Sequence, residues 1–253
     1  CFELDVEWAI AAAIVDLRPE AIALGIRNLH TNSYDGSEAV LEDLTQVAAT
    51  IRGLSPAPLI VGGSGFSLRP DPLLARLRAD HGVVGEGERT FPALLDALAA
   101  HQRPPRLITA PVAAPARDRG TLRWALDHVP HPAYDLVDPR YFSEGDGTVN
   151  VQTKRGCAFA CNYCDYPDLE GRTIRMRDPE GVASEIARWA AVPGVSSLFF
   201  VDSVFNVPRW HALAVCRALI ARGLSLPWLC YASPVGVDEE LVETMAQAGC
   251  VGV

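Results

Sequence analysis

The chain has 253 residues, 49% of them hydrophobic and 21% charged, the balance of a globular protein with one large domain or two smaller ones rather than of a disordered segment. Its net charge of −9 argues against general nucleic-acid binding, which relies on many phosphate-neutralising Lys and Arg side chains. A small-molecule or peptide substrate fits better. No apolar run approaches the roughly 20 residues of a membrane span, since the segment from Trp8 to Leu17 is interrupted by Asp16.

The first hundred residues alternate helix and strand. Trp8, Ile10, Ala11, Ile14, Val15 and Leu17 recur at helical period, and Pro19 ends that helix. Ala21 to Ile26 reads as a buried parallel strand, and a helix follows from Ser37 to Arg52. Pro58 to Gly65 is a strand running into a glycine turn, Pro70 to Asp80 a helix, Gly82 to Glu88 a strand with a glycine-rich exit, and Thr90 to Ala100 a helix. This order predicts a doubly wound, Rossmann-like sheet over residues 1–103. Glycines at the carboxyl ends of strands are where such a sheet admits a ligand, because a missing Cβ allows close approach. Spacing alone leaves Gly62, Gly63, Gly65, Gly85 and Gly87 open to a second reading, as tight turns only.

Pro104, Pro105, Pro111 and Pro115 mark residues 104–143 as a linker and lead-in, with Trp124 to Tyr141 expected as extended chain. From residue 144 the rhythm is that of a parallel barrel: strands at 148–153, 197–201 and 226–231, helices at 179–190, 208–222 and 238–248, and a fourth strand begun at Cys250 to Val253. Asp178 is the expected N-cap of the first of these helices, with Pro179 after it. The chain starts at Cys1 and stops inside an apolar pattern. The expectation is a fragment lacking both ends of a longer protein, so that function is argued for the parent and the piece itself is not expected to turn over.

Between the first strand and helix of this second half lies Cys157-Ala158-Phe159-Ala160-Cys161-Asn162-Tyr163-Cys164. Three thiols at this spacing can reach three corners of a cubane iron–sulfur cluster and leave the fourth iron open to an outside molecule, whereas electron-storage clusters normally close the site with four thiolates. A structural zinc site wants four ligands in two pairs; the next thiol, Cys216, lies far downstream in a predicted helix, and no His follows at ligand spacing. Seven cysteines are an odd number, and with no signal-peptide pattern a disulfide framework is not expected. The expected location is cytoplasmic.

With Lys154-Arg155-Gly156 before the first cysteine and Tyr163 before the third, the loop resembles that of the radical S-adenosylmethionine (radical SAM) superfamily. Val61-Gly62-Gly63-Ser64-Gly65-Phe66, followed by Val83-Val84-Gly85-Glu86-Gly87-Glu88, resembles the cobalamin-binding domain that precedes the barrel in the cobalamin-dependent branch. The resemblance implies a [4Fe-4S] cluster on Cys157, Cys161 and Cys164, S-adenosylmethionine near Tyr163, Asp202 and Ser203, and cobalamin near Asn28, His30, Gly62, Gly63, Ser64, Gly65, Gly85, Glu86 and Gly87. It also implies a core of six βα units, of which four strands are present, and an electron donor such as a flavodoxin or ferredoxin. Asp202, at the exit of the second strand, is expected to meet the ammonium group of S-adenosylmethionine; its bland alternative is a turn cap. Asn206 is a weaker choice. The Asp-x-His-x-x-Gly sequence that many cobalamin domains carry is missing. Arg172, Arg175 and Arg177 read as a solvated face, and Cys216 and Cys230 as packed small hydrophobes.

The implied activity is cleavage of S-adenosylmethionine to a 5′-deoxyadenosyl radical with methylation of an unactivated carbon. The alternatives are a cobalamin-using cyclase or rearrangement enzyme, a methylthiotransferase-like enzyme, whose second cluster finds no cysteines before Cys157, or a metal-binding module without turnover.

Overall fold

The computed structural model describes residues 6–29, 36–109, 126–133, 136–138 and 140–253. The chain divides into two units, Cys1–Ala113 and Ala114–Val253.

Unit 1 runs α1 (Val6–Leu17), β1 (Ile22–Gly25), α2 (Gly36–Leu54), β2 (Leu59–Gly62), α3 (Ser64–Leu68), α4 (Pro70–Arg76), β3 (His81–Val84), α5 (Gly87–Ala99) and β4 (Leu107–Thr109). Its four strands pair in parallel in the order β1-β2-β3-β4. The continuous apolar run Leu59-Ile60-Val61 explains the layering, because a strand buried on both faces needs apolar residues at every position. Leu59 and Val61 enter one core with Ile51, Phe66, Leu73 and Leu74. Ile60 enters another with Val83 and Leu94. Helices therefore cover both faces of this sheet. Each such fully buried side chain contributes about 1.5–3 kcal/mol of transfer free energy.

Three details differ from the sequence reading. β4 lies inside the stretch expected to be linker from residue 104, and it pairs with β3 through Gly82–Leu107, Val83–Ile108 and Val84–Thr109; a three-residue strand behind two prolines gives no alternation to detect. The glycine turn after β2 opens at once into α3, and α5 begins at Gly87 rather than Thr90.

Unit 2 carries a 3-10 turn at Leu126–His128, then α6 (Arg140–Ser143), β5 (Thr148–Val151), β6 (Lys154–Arg155), α7 (Tyr166–Leu169), β7 (Arg175–Met176), α8 (Pro179–Ala190), β8 (Ser197–Phe200), α9 (Arg209–Ala221), β9 (Trp228–Cys230), α10 (Glu239–Gln247) and β10 (Cys250–Gly252). β5, β8, β9 and β10 form a second parallel sheet, also in chain order. Its burial is one-sided. Val149, Val151, Leu198, Phe200, Trp228 and Cys230 share a core with Val182 and Ile186 of α8, Leu213, Val215 and Leu219 of α9, and Leu241 and Met245 of α10. Phe200, Phe205 and Trp228 pack ring to ring with centroids 4.9–5.1 Å apart. On the alternate positions Asn150, Leu229, Tyr231 and Val251 are exposed. The expected caps are present: the Asp178 side chain accepts from Gly181 N at 2.8 Å, and Asp238 accepts from Leu241 N at 2.9 Å.

The lead-in is fastened to α8. Asp127 accepts from Asp178 N at 2.8 Å, and His131 Nδ1 lies 2.8 Å from the buried Glu185 carboxylate, which also accepts from Arg177 and Trp189. Among the described residues no helix is long and apolar enough to cross a membrane.

Gly63 fixes the β2–α3 turn. Its φ of 98° lies in the left-handed region, and a Cβ there would sit 2.5 Å from Ile26 O. Gly63→Ala is therefore expected to destabilise unit 1 by about 2 kcal/mol or more. Urea denaturation of the intact chain reads this, and an unchanged midpoint would show that the turn relaxes freely.

Candidate functional site

The cysteine segment leaves the carboxyl end of β5 through β6 and returns through β7, which pairs antiparallel with β6 at Lys154–Met176 and Arg155–Arg175. Within that hairpin the two ends of the loop are clasped. Cys157 N donates to Gly171 O at 3.0 Å, and Gly156 N donates to Glu170 Oε2 at 3.0 Å. Gly156 has a φ of 98° and lies against Thr173 O, where a Cβ would collide with the backbone. Arg172 reaches into the loop and donates to Phe159 O at 3.1 Å.

Cys157 is buried, Cys164 half-buried and Cys161 exposed, all as free thiols. Tyr163 is 85% exposed, so its ring is open to a ligand. The charge of Cys161 and a hydrogen bond with that thiol, with a further contribution from Cys164, hold the Tyr163 phenol above its usual range. Among the described residues no three His, Cys, Asp or Glu side chains are gathered closely enough to hold a single metal ion. Cys216 and Cys230 lie in the core as expected, and burial pushes the Cys216 thiol up to about 12.

Asp202 is enclosed by its own protein. It is fully buried, and it accepts from Thr153 N at 2.7 Å, Thr153 Oγ1 at 2.5 Å and Lys154 N at 3.1 Å. Lys154 Nζ, also buried, lies 3.2 Å from Asp202 Oδ2 and donates to Phe205 O at 2.7 Å. Both carboxylate oxygens are engaged by the β5–β6 connection. Lys154 thus has a partner other than the thiolates. Asn206 is likewise structural, donating to Ser233 O and Val235 O and accepting from Ser233 N.

Ser203 remains near the loop: its Oγ donates to Glu170 Oε2 at 3.1 Å. Glu170 was not anticipated from the sequence, where it is one acid among several after the cysteines. Of the basic run, Arg172 is exposed as expected, while Arg175 is buried and Arg177 pairs with Glu185 at 2.5 Å.

In unit 1 the residues expected at the corrin separate into two groups. Gly62, Gly63, Ser64 and Gly65 lie against their own protein: Ser64 Oγ donates to Arg27 O at 2.9 Å, Gly65 N donates to Ile26 O at 2.9 Å, and Cβ atoms on Gly62, Gly63 and Gly65 would meet Val83, Ile26 and Arg27. Gly85 and Gly87, with Gly25 at the end of β1, have nothing within 4 Å of a built Cβ. Ser67 joins the two groups, donating to Gly63 O at 2.8 Å and accepting from Gly85 N at 2.9 Å. Asn28 is exposed after β1 and Glu86 is the N-cap residue of α5. His30 lies outside the described residues.

No protein-family model matches the chain. It is 27% identical to the tryptophan 2-C-methyltransferase of Streptomyces laurentii over 93% of this chain and 49% of that protein. The structure of the radical S-adenosylmethionine methyltransferase TsrM from Kitasatospora setae, with cobalamin and a [4Fe-4S] cluster bound, superposes with a TM-score of 0.75 at 25% identity, covering 98% of this chain and 51% of that one. The cobalamin-dependent S-adenosylmethionine radical enzyme OxsB shares the fold, with a TM-score of 0.64 at 18% identity over 95% of this chain and 35% of its own. Sequence and fold thus relate the chain to cobalamin-dependent radical S-adenosylmethionine enzymes. It spans about half the length of the tryptophan methyltransferase it matches.

Removing one member of the buried pair tests its place in this site. Lys154→Met leaves the Asp202 carboxylate buried without its ammonium, and is expected to cost about 3–5 kcal/mol. A urea midpoint for unit 2 within error of the wild type would show that the pair is solvated instead.

Proposed function

We propose that this chain carries the cobalamin, cluster and S-adenosylmethionine sites of a radical SAM enzyme that methylates an unactivated carbon. The observation that carries the reading is the set of three free thiols on a clasped loop, at the carboxyl end of β5 in a parallel sheet whose helices lie on one side. The donor set fits a cluster better than one ion. A structural ion would need a fourth protein ligand that the loop does not supply, whereas three thiolates suit a cubane with one open iron. Cys157, Cys161 and Cys164 would hold three irons.

Unit 1 fits a corrin at Gly25, Gly85 and Gly87, where the backbone faces open space at the ends of β1 and β3. We assign residues 1–103 with β4 to a doubly wound cobalamin-type domain, and 104–143, beyond β4, to the lead-in. Residues 144–253 are assigned to part of a six-stranded barrel. Helices on both faces of the first sheet and on one face of the second support that division. When bound, the cluster supplies the electron that cleaves S-adenosylmethionine, and cobalamin supplies a carrier for the methyl group. An electron donor such as a flavodoxin or ferredoxin is required by that chemistry. The chain's own residues hold the loop shut, place Ser203 beside it, and present Phe199 and Tyr231, whose rings meet edge to face at 5.1 Å, on the open side of the second sheet.

Anaerobic reconstitution with iron and sulfide is expected to give about four irons per chain with thiolate-to-iron charge-transfer absorption. Cys157→Ala, Cys161→Ala and Cys164→Ala should each lose the intact cluster, and Cys216→Ala should keep it. Unchanged iron in the three loop variants would overturn the assignment. Cleavage of S-adenosylmethionine by the parent enzyme with no methylated product would turn the reading toward cyclisation or rearrangement.

For the corrin, Gly87 is the better probe than Gly63, because a Cβ at the start of α5 meets no atom of the rest of the protein within 4 Å. Gly87→Leu is expected to leave the unfolding midpoint of unit 1 unchanged and to reduce hydroxocobalamin retained after gel filtration, with cluster iron intact. Equal retention would place the corrin elsewhere.

A further inference from the structure

An electron added to an iron–sulfur cluster makes it more negative, so a fixed cation nearby favours the reduced form, and cluster potentials respond to the charge and hydrogen bonds around the sulfurs. The basic residues of unit 2 differ in where they direct their charge. Lys154 is buried against Asp202, and Arg177 is paired with the buried Glu185. Arg172 is exposed, and its Nη1 donates to Phe159 O at 3.1 Å, between Cys157 and Cys161.

The backbone on both sides of Arg172 fixes where that charge lies. Glu170 Oε2 accepts from Gly156 N at 3.0 Å, Gly171 O accepts from Cys157 N at 3.0 Å, and Thr173 O lies against Gly156. The neighbours of Arg172 are therefore pinned to the start of the cysteine loop, and its side chain crosses from there to the middle. Phe159 O and the Cα of Cys161 are separated by less than two peptide units, so the bonded guanidinium nitrogen lies within about 10 Å of that Cα. This is about one Debye length at 0.1 M salt, and a guanidinium keeps its charge at any working pH. We infer that Arg172 raises the reduction potential of the cluster by holding a positive charge beside the segment from Cys157 to Cys161, a role that rests on the proposed function.

The test is an anaerobic potentiometric titration of the reconstituted full chain, read by the electron paramagnetic resonance of the reduced cluster, with no S-adenosylmethionine present. Arg172→Gln removes the charge and is expected to lower the reduced-to-oxidised ratio at a given applied potential about three- to tenfold, at most about 59 mV for a one-electron couple, with iron content unchanged. Arg172→Lys should keep most of the wild-type value. The difference between wild type and Arg172→Gln should shrink on going from about 0.05 M to about 1 M salt, because an exposed charge is screened; a residue that only shapes the loop would not produce this. An unchanged potential in Arg172→Gln overturns the assignment, as does an equal shift in Arg172→Lys. If Arg172→Gln loses iron, Arg172→His carries the comparison: its potential should fall relative to wild type as pH rises through the ordinary histidine range near about 6.5, and a parallel course overturns the assignment. Iron lost from both variants makes Arg172 a clasp of the loop and overturns it too. Wild-type protein that assembles no four-iron cluster would instead sink the proposed function itself.

Discussion

Burial of the Asp202 carboxylate is the constraint on which the arrangement of unit 2 depends. A charge without water must be met on every lone pair, and unmet it would cost several kcal/mol. Its partners are the backbone and side chain of Thr153 and the backbone and ammonium of Lys154. These contacts join the exit of β8 to the point where β5 turns into β6. Lys154 Nζ is in turn held by Phe205 O and lies 5.0 Å from the centre of the Phe205 ring, so the polar node is set into the aromatic core. Gly156 and Cys157 follow directly, and the origin of the cysteine loop is fixed by protein contacts alone.

The two sheets show how strand patterning sets what each unit offers a ligand. β2 is apolar at every position and takes helices on both faces, so space for a ligand in unit 1 is confined to the strand ends, where Gly25 and Gly85 lie. In unit 2 the strands alternate, and α8, α9 and α10 all cover one face. The other face keeps Leu229, Tyr231 and Val251 exposed. Parallel strands in chain order with helices on one side are the arrangement that the wall of a βα barrel also has, and this is what supports the proposed barrel reading.

Most of this was legible in the sequence because it is written in local periodicity: the helical spacing of α1, the run Leu59-Ile60-Val61, the Asp178-Pro179 cap, and the βα rhythm after residue 144. β4 was not legible, since three residues after Pro104-Pro105 carry no period. The β6–β7 hairpin was not either; two residues from each side of the loop form strands only because they meet. The same division runs through the site. The three cysteines are spaced within eight residues and can be read directly. Asp202 and Thr153 are 49 positions apart and Glu170 and Ser203 are 33 apart, so no local pattern shows that one acid is enclosed and the other accessible. The glycines divide for a similar reason: Gly63 and Gly87 look alike in sequence, yet only the first has a neighbouring strand against it.

Charge near the thiols follows from these contacts rather than from composition. Lys154 and Arg155 precede Cys157 and invite the reading that they offset thiolate charge. Lys154 is already neutralised by Asp202, and Arg155 directs its Nε to Gln152 Oε1 at 2.7 Å. Arg172 is the cation that enters the loop, bonded to Phe159 O two residues before Cys161. Thiolates are stabilised by nearby positive charge, and a guanidinium keeps its charge at any working pH. The exposed arginine that the sequence assigns to a solvated face is thus bonded within the loop two residues before the exposed thiol, while Lys154 is turned inward to Asp202 and Phe205 O.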